Sequence, residues 1–184
     1  RHANARPLYI GEDVERTVKY EDANRPGHNQ MLAKHELHQQ MHNVKGTVLW
    51  YAKAVADNVG NYGTVLRNDF WRNKMLQPRM PFIDNKAPQP VSKPKCIWTH
   101  DGYFMYWGTS KATSWKDKQV KFVVYRFREG EPINTDKAEN IVAITSLPML
   151  KLPYTSGKER YVYVVTALDR MSNESIGKKI KVKL

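Results

Sequence analysis

Tyr161-Val162-Tyr163-Val164-Val165-Thr166-Ala167-Leu168-Asp169 decides the fold of the C-terminal half of this chain. Tyr161, Tyr163, Val165, Ala167 and Asp169 recur at strict period two, the spacing that returns side chains to one face of a sheet. Working outward, Ile180, Val182 and Leu184 repeat the pattern downstream. Upstream, Phe122, Val124 and Arg126 alternate ahead of Gly130, and Tyr103, Met105 and Trp107 alternate behind an Asp101-Gly102 turn. Ile141–Ile144 and Met149–Leu152 read as shorter strands. Short alternating strands about ten residues apart, with turn residues between them, predict an immunoglobulin-like all-β sandwich over residues 86–184.

The sandwich pattern stops at Asp84-Asn85-Lys86-Ala87-Pro88-Gln89-Pro90-Val91-Ser92-Lys93-Pro94. Proline neither continues a helix nor donates within a sheet, so this run is the expected domain boundary. Before it, residues 1–85 read as strand, helix, strand, helix. Leu8-Tyr9-Ile10-Gly11 is a short buried-type strand. His28–His42 lacks Gly and Pro and spaces Met31, Leu37 and Met41 for one helical face, with Asn43 and Gly46 closing it. Gly46–Tyr51 is a second strand. Asn61–Met75 carries Tyr62, Leu66 and Phe70 at i, i+4 spacing behind Asn61 as a candidate N-cap. Strand, crossover helix and parallel strand make a right-handed βαβ unit.

Charge and composition narrow the function. The apolar fraction of 41% is that of a folded protein, and no apolar run approaches the ~18 residues of a membrane span. The net charge is +12, of which residues 1–85 carry +3 and residues 86–184 carry +9. Nucleic-acid binding requires those cations in a focused patch. Here Lys93, Lys95, Lys116, Lys118, Lys178, Lys179, Lys181 and Lys183 alternate with apolar residues, as solvated strand faces do, so no nucleic-acid partner is expected. One cysteine, Cys96, excludes an internal disulfide. The chain opens at Arg1-His2 without Met, which implies an upstream segment.

Trp107, the Phe122-Val123-Val124-Tyr125-Arg126 strand, and Tyr161–Asp169 followed by Ser172-Asn173-Glu174-Ser175 resemble the fibronectin type III domain. The resemblance implies that Trp107 is the core tryptophan. It also implies that Tyr161 is a corner tyrosine whose hydroxyl bonds backbone upstream. A long Gly130–Asn140 connection departs from the family pattern. Leu8-Tyr9-Ile10-Gly11 and Asn43-Val44-Lys45-Gly46-Thr47-Val48 resemble the seventh and eighth strands of a bacterial glycoside-hydrolase-like (β/α) barrel, a family that often carries a fibronectin type III domain after the barrel. A complete barrel needs about 250 residues, so six of eight strands are missing. The expected architecture is thus an α/β segment, a partial barrel end of two strand–helix units, followed by the sandwich. The resemblance implies a secreted, periplasmic or cell-surface parent whose substrate is a glycan. The competing expectation is a free-standing module that binds protein or carbohydrate.

Glycoside hydrolysis uses two carboxyl groups flanking the scissile bond. The local carboxylate cluster is Glu12-Asp13-Val14-Glu15, just after the first strand, where a barrel binds its substrate. Glu12 or Asp13 there contacts sugar hydroxyls, or else the cluster is a solvated loop capping a helix. Trp50 and Tyr51 end the second strand at the same rim and either stack on a sugar ring or pack in the core. With no acid/base pair in reach, no catalytic residue is assigned. His35, His38 and His42 share a helix, but His35-Glu36-Leu37-His38 is one residue short of the zinc-protease spacing. The three are read as outward-facing, with no metal site. Cys96 with His100 four residues on is read as an inert thiol. Gly60-Asn61-Tyr62-Gly63 lacks the lysine and spacing of a phosphate loop, so no cofactor is expected. Two strands cut from a barrel leave open edges, which predicts pairing between chains as a homo-oligomer, docking, or rearrangement.

Overall fold

The structure, a computed structural model, describes residues 6–184. The chain divides into two compact units, one running to Arg72 and the other Asn73–Leu184. Residues 73–85, which precede the proline-rich stretch, therefore belong by contact to the second unit.

In the first unit, β1 (Leu8–Asp13) leads through α1 (Val14–Lys19), a hairpin of β2 (Glu21–Asp22) and β3 (Arg25–Asn29), and α2 (Met31–Gln40) into β4 (Val44–Trp50). β1 and β4 pair in parallel, which is the expected βαβ arrangement. Asp13 starts α1 as an N-cap, its Oδ1 accepting from the Arg16 N–H at 3.0 Å. The core is Val14, Met31, Ala54, Tyr62 and Leu66.

Two helix expectations are corrected. The buried stripe of α2 runs through Met31 and His35, while Leu37 and Met41 are exposed. The reason is polar: the sheet face beneath α2 carries Glu12 and Thr47, and these take histidine and lysine partners rather than aliphatic ones. The expected helix Asn61–Met75 is shortened to α4 (Tyr62–Val65) and a π turn (Leu66–Phe70), and it is preceded by α3 (Ala52–Ala56) and a 3₁₀ turn (Val59–Asn61). Asn58 and Asn61 both adopt the left-handed region, and Asn61 makes no capping bond. Two such residues in four end one helical path and begin another.

The second unit is the sandwich. Its strands are β5 (Lys95–Thr99), β6 (Gly102–Tyr106), β7 (Lys121–Arg128), β8 (Ile141–Thr145), β9 (Met149–Lys151), β10 (Arg160–Leu168) and β11 (Lys178–Lys183). They form antiparallel sheets ordered β5-β6-β9 and β11-β10-β7-β8. This is an all-β, immunoglobulin-like sandwich of the fibronectin type III kind. Between the sheets lie Val91, Met105, Trp107, Phe122, Val124, Leu152, Tyr163, Val165 and Ala167, closed by Val182 and Leu184. Trp107 meets Phe122 edge-on, with ring centroids 5.5 Å apart.

The other face of the four-stranded sheet is covered as well. Val123, Tyr125, Phe127, Ile141, Val164 and Leu168 form a second cluster, with Leu76 from the segment before the prolines packed on it. β7 and β10 are thus buried on both faces, which is why they read as nearly continuous apolar runs. A polar corner ties that segment down. The Asp169 carboxylate accepts from the Met171 and Asn173 N–H groups, Asn173 Nδ2 donates to Asp169 and to the Asp84 carbonyl, and Arg79 donates to Asn173 Oδ1. No helix among the described residues is long and apolar enough to cross a membrane.

Candidate functional site

The C-terminal ends of β1 and β4 bring the predicted residues together. Register pairs Tyr9 with Gly46, Gly11 with Val48, Glu12 with Leu49 and Asp13 with Trp50. Alternation then puts Tyr9, Gly11, Asp13, Gly46, Val48 and Trp50 on one face, and Ile10, Glu12, Thr47 and Leu49 on the other. The first face is open: Trp50 is 71% exposed, and Tyr9, Val48 and Tyr51 are exposed beside it. Gly46 lets the Tyr9 ring lie against β4: a Cβ there would stand 2.8 Å from the ring and push this exposed side chain aside. The Trp50–Tyr51 peptide bond is cis, and the Tyr51 carbonyl accepts from the Ala54 N–H at the start of α3.

The second face is closed by a polar network. Glu12, 5% exposed, accepts from Lys34 Nζ at 2.9 Å and from Thr17 Oγ1 at 3.4 Å, and its other oxygen lies 3.2 Å from His38 Nε2. His38 Nδ1 is 3.4 Å from the Thr47 hydroxyl. His35 Nε2 is 3.0 Å from the Tyr62 hydroxyl, and its ring lies 4.9 Å from Phe70. Burial, and then the adjacent His38, lowers the His35 pKa from its ordinary value; burial, and then the Glu12 charge, pushes the Tyr62 hydroxyl up to about 12.

Glu12 and Asp13 therefore have separate chemistry. The Glu12 oxygens are taken up within the chain and fix α2 to the end of β1. Asp13 is half-buried on the open face across from Trp50, its carboxylate capping α1 through Oδ1 and lying 3.6 Å from Arg16 Nε through Oδ2. The exposed Trp50 indole, with Tyr51 next to it in the chain, can stack on a flat polar ring. The reading of His35 and His38 as outward-facing is corrected: both lie on the buried side of α2, held by Tyr62, Glu12 and Thr47.

In the sandwich, Trp107 is buried in the core. The Tyr161 hydroxyl donates to the Glu159 carboxylate rather than to upstream backbone, with the Arg126 guanidinium over its ring at 4.9 Å. Corner geometry is not formed because a carboxylate two residues away is nearer at hand. Burial pushes the Cys96 thiol up, while His100 is fully exposed beside Asp101. Sequence reasoning missed Lys34, which has no motif to mark it, and an aromatic group at Trp98, whose strand Lys95–Thr99 does not alternate polar with apolar.

No family model matches the chain. Over 168 residues it is 24% identical to "Glycosyl hydrolase YngK" of Bacillus subtilis (strain 168), an alignment covering 91% of this chain and 32% of that protein. The chain thus spans about a third of that relative's length. Among solved structures, a Fn3-like protein from Clostridium thermocellum is similar with a TM-score of 0.39 and 15% identity, over 53% of this chain and 94% of that one. The twitchin kinase region from C. elegans is similar with a TM-score of 0.40 and 10% identity, over 54% and 17% of the two chains. In sequence, the chain is distantly similar to part of a glycosyl hydrolase.

Proposed function

We propose that this chain is the accessory, C-terminal region of a larger glycan-acting protein that works outside the cytoplasm. Its α/β unit supplies the end of a (β/α) barrel, and the sandwich follows as a non-catalytic domain. Asp13, Trp50 and Tyr51 form part of the sugar-binding rim, with Glu12 positioning β1 from behind. The observation that carries this reading is the exposed indole of Trp50 beside Asp13 at the C-terminal end of a parallel strand pair. The distant similarity to a glycosyl hydrolase agrees with it.

Hydrolysis needs a second carboxyl group across the scissile bond. On the open face described here Asp13 stands without one, so the acid/base pair belongs to strands outside this chain. Incubation with polysaccharides and peptidoglycan is expected to release no reducing sugar. Release by this chain alone overturns the accessory reading. The coding sequence upstream of Arg1 is expected to encode six further strand–helix units, and a stop codon immediately upstream favours the free-standing module instead.

A further inference from the structure

The sandwich carries a second aromatic surface, at the far end of an inward-facing row. Cys96 and Trp98 on β5, with Met105 and Tyr103 on β6, point to the same side of their sheet. Met105 is fully buried in the core, but two residues along, the row emerges into solvent. There Trp98 and Tyr103 are direct cross-strand partners, stacked with centroids 4.8 Å apart and planes 24° from parallel. Tyr154, just past β9, meets Trp98 at 78° and 4.8 Å, and Tyr103 at 79° and 5.9 Å. Trp98 remains 58% exposed and Tyr154 43%. The Tyr103 hydroxyl lies beside the Cys96 thiol. The indole N–H of Trp98 and the hydroxyl of Tyr154 make no hydrogen bond to the chain among the described residues.

We infer that Trp98, Tyr103 and Tyr154 form a glycan-binding platform on the sandwich, taking a β-linked, equatorially substituted hexopyranose on the exposed indole face. In such a sugar the hydroxyls lie at the ring's edge, and the axial C–H bonds of C1, C3 and C5 share one side of the ring. That side is apolar and faintly positive, and it matches the negative face of an aromatic ring, while the equatorial hydroxyls reach outward to polar tips such as Trp98 Nε1 and Tyr154 Oη. The rings are held before any ligand arrives: Tyr103 backs Trp98 and Tyr154 braces both, so little ordering is required on binding. Among the described residues the cations seated over rings lie on Trp115 (Lys116 and Arg170, each 5.9 Å) and on Tyr161 (Arg126), none on this triad. A single-strand nucleic-acid groove interleaves its stacking rings with cations.

The sugar class rests on the glycan-acting reading above, whereas the platform rests on its own geometry. The test is calorimetric titration of the whole chain with cellohexaose and with chitohexaose, for the wild type, Trp98→Ala, Tyr154→Ala and Trp50→Ala. Trp98→Ala and Tyr154→Ala are each expected to weaken binding of at least one hexaose tenfold or more, with the circular dichroism spectrum unchanged. Should Trp98→Ala disturb the hairpin, Tyr154→Ala, which lies outside the strands, gives the same readout. Wild-type affinity in both variants overturns the platform; loss in Trp50→Ala alone does so too while leaving the rim reading intact. Loss in Trp98→Ala but not in Trp50→Ala supports the platform and removes the rim. Failure of both hexaoses to bind overturns it. So does tight oligothymidylate binding that collapses with salt and with Trp98→Ala, which assigns the surface to nucleic acid.

Discussion

Replacing Glu12 with Gln removes the charge that Lys34 and His38 share, at a site closed to water, while keeping the side chain's shape. A buried ion pair that loses one partner leaves the other short of compensation, and here Lys34, partly exposed, recovers some solvation. Glu12→Gln is therefore expected to cost the α/β unit about 2 kcal/mol, measured by equilibrium urea unfolding. Asp13→Ala, which removes one exposed cap, is expected to cost about 1 kcal/mol. A reversed order of the two would mean that Glu12 is not the residue fixing this end of β1. His35 adds a pH dependence of definite sign. It is 4% exposed, and burial followed by its neighbour His38 lowers its pKa from 6.5, with Lys34 acting in the same direction and Glu12 opposing them. Between the lowered value and 6.5 the unfolded chain binds more protons than the folded one. The contribution is thus fully present above pH 6.5 and is lost as pH falls through that window. Urea midpoints of the α/β unit followed downward from pH 7.5 are expected to drop in this range for the wild type. In His35→Gln the drop is expected to flatten, and an equal drop in both proteins excludes His35 as its source.

At the scale of elements, the turn between β10 and β11 and the segment before the prolines are fastened by one side chain. Asn173 is fully buried and bonds Asp169, the Asp84 carbonyl and Arg79 together. Asn173→Ala leaves those groups without partners and is expected to cost about 2 kcal/mol. It is also expected to speed tryptic cleavage after Arg79, a readout that uniform destabilisation of the sandwich would spread over its other lysines and arginines. Gly177 sits under the same strand pair, where a Cβ would come within 2.4 Å of Val164 Cγ1. Gly177→Ala is expected to destabilise by about 1–3 kcal/mol through overpacking, read as a lowered denaturation midpoint. Long strands were legible from the sequence, but which of their faces are buried was not. Tyr161–Asp169 and Phe122–Arg126 stood out as strands, yet period two described only their inner faces. Val123, Tyr125, Val164 and Leu168 are also buried, because Leu76 and its neighbours cover the outer face. The hairpin Glu21–Asn29 gave no signal, since Arg25-Pro26-Gly27-His28 has no apolar alternation to find. α2 misled in the opposite way, its true inner stripe being polar. At the site, Asp13, Trp50 and Tyr51 were legible as strand-end residues. The division of labour between Glu12 and Asp13 was not, because parity places them on opposite faces while only the crossover helix decides which face is closed.

For the whole molecule, the open sheet of the first unit and the charge of the chain act against each other. β1 and β4 are each other's only strand partners among the described residues, so both outer edges carry free backbone donors and acceptors. The face between those edges is apolar as well, through Tyr9, Val48 and Trp50. Edges of this kind pair with another copy unless something blocks them. The block available here is electrostatic: a net charge of +12 repels like chains at low ionic strength. Raising salt from about 0.05 M to 0.5 M shortens the screening length to less than half, so self-association is expected to increase with salt rather than fall. Sedimentation velocity across a concentration series at both salts measures this directly. Val48→Lys places a charge in the middle of the open face and is expected to return the chain to monomer at the higher salt. The same substitution made at exposed Ile176, in the sandwich, is expected to leave association unchanged. A single monomeric species at every concentration and both salts would mean that the edges are closed by something other than a second copy. Association that weakens as salt rises would instead assign it to ion pairing rather than to the open sheet.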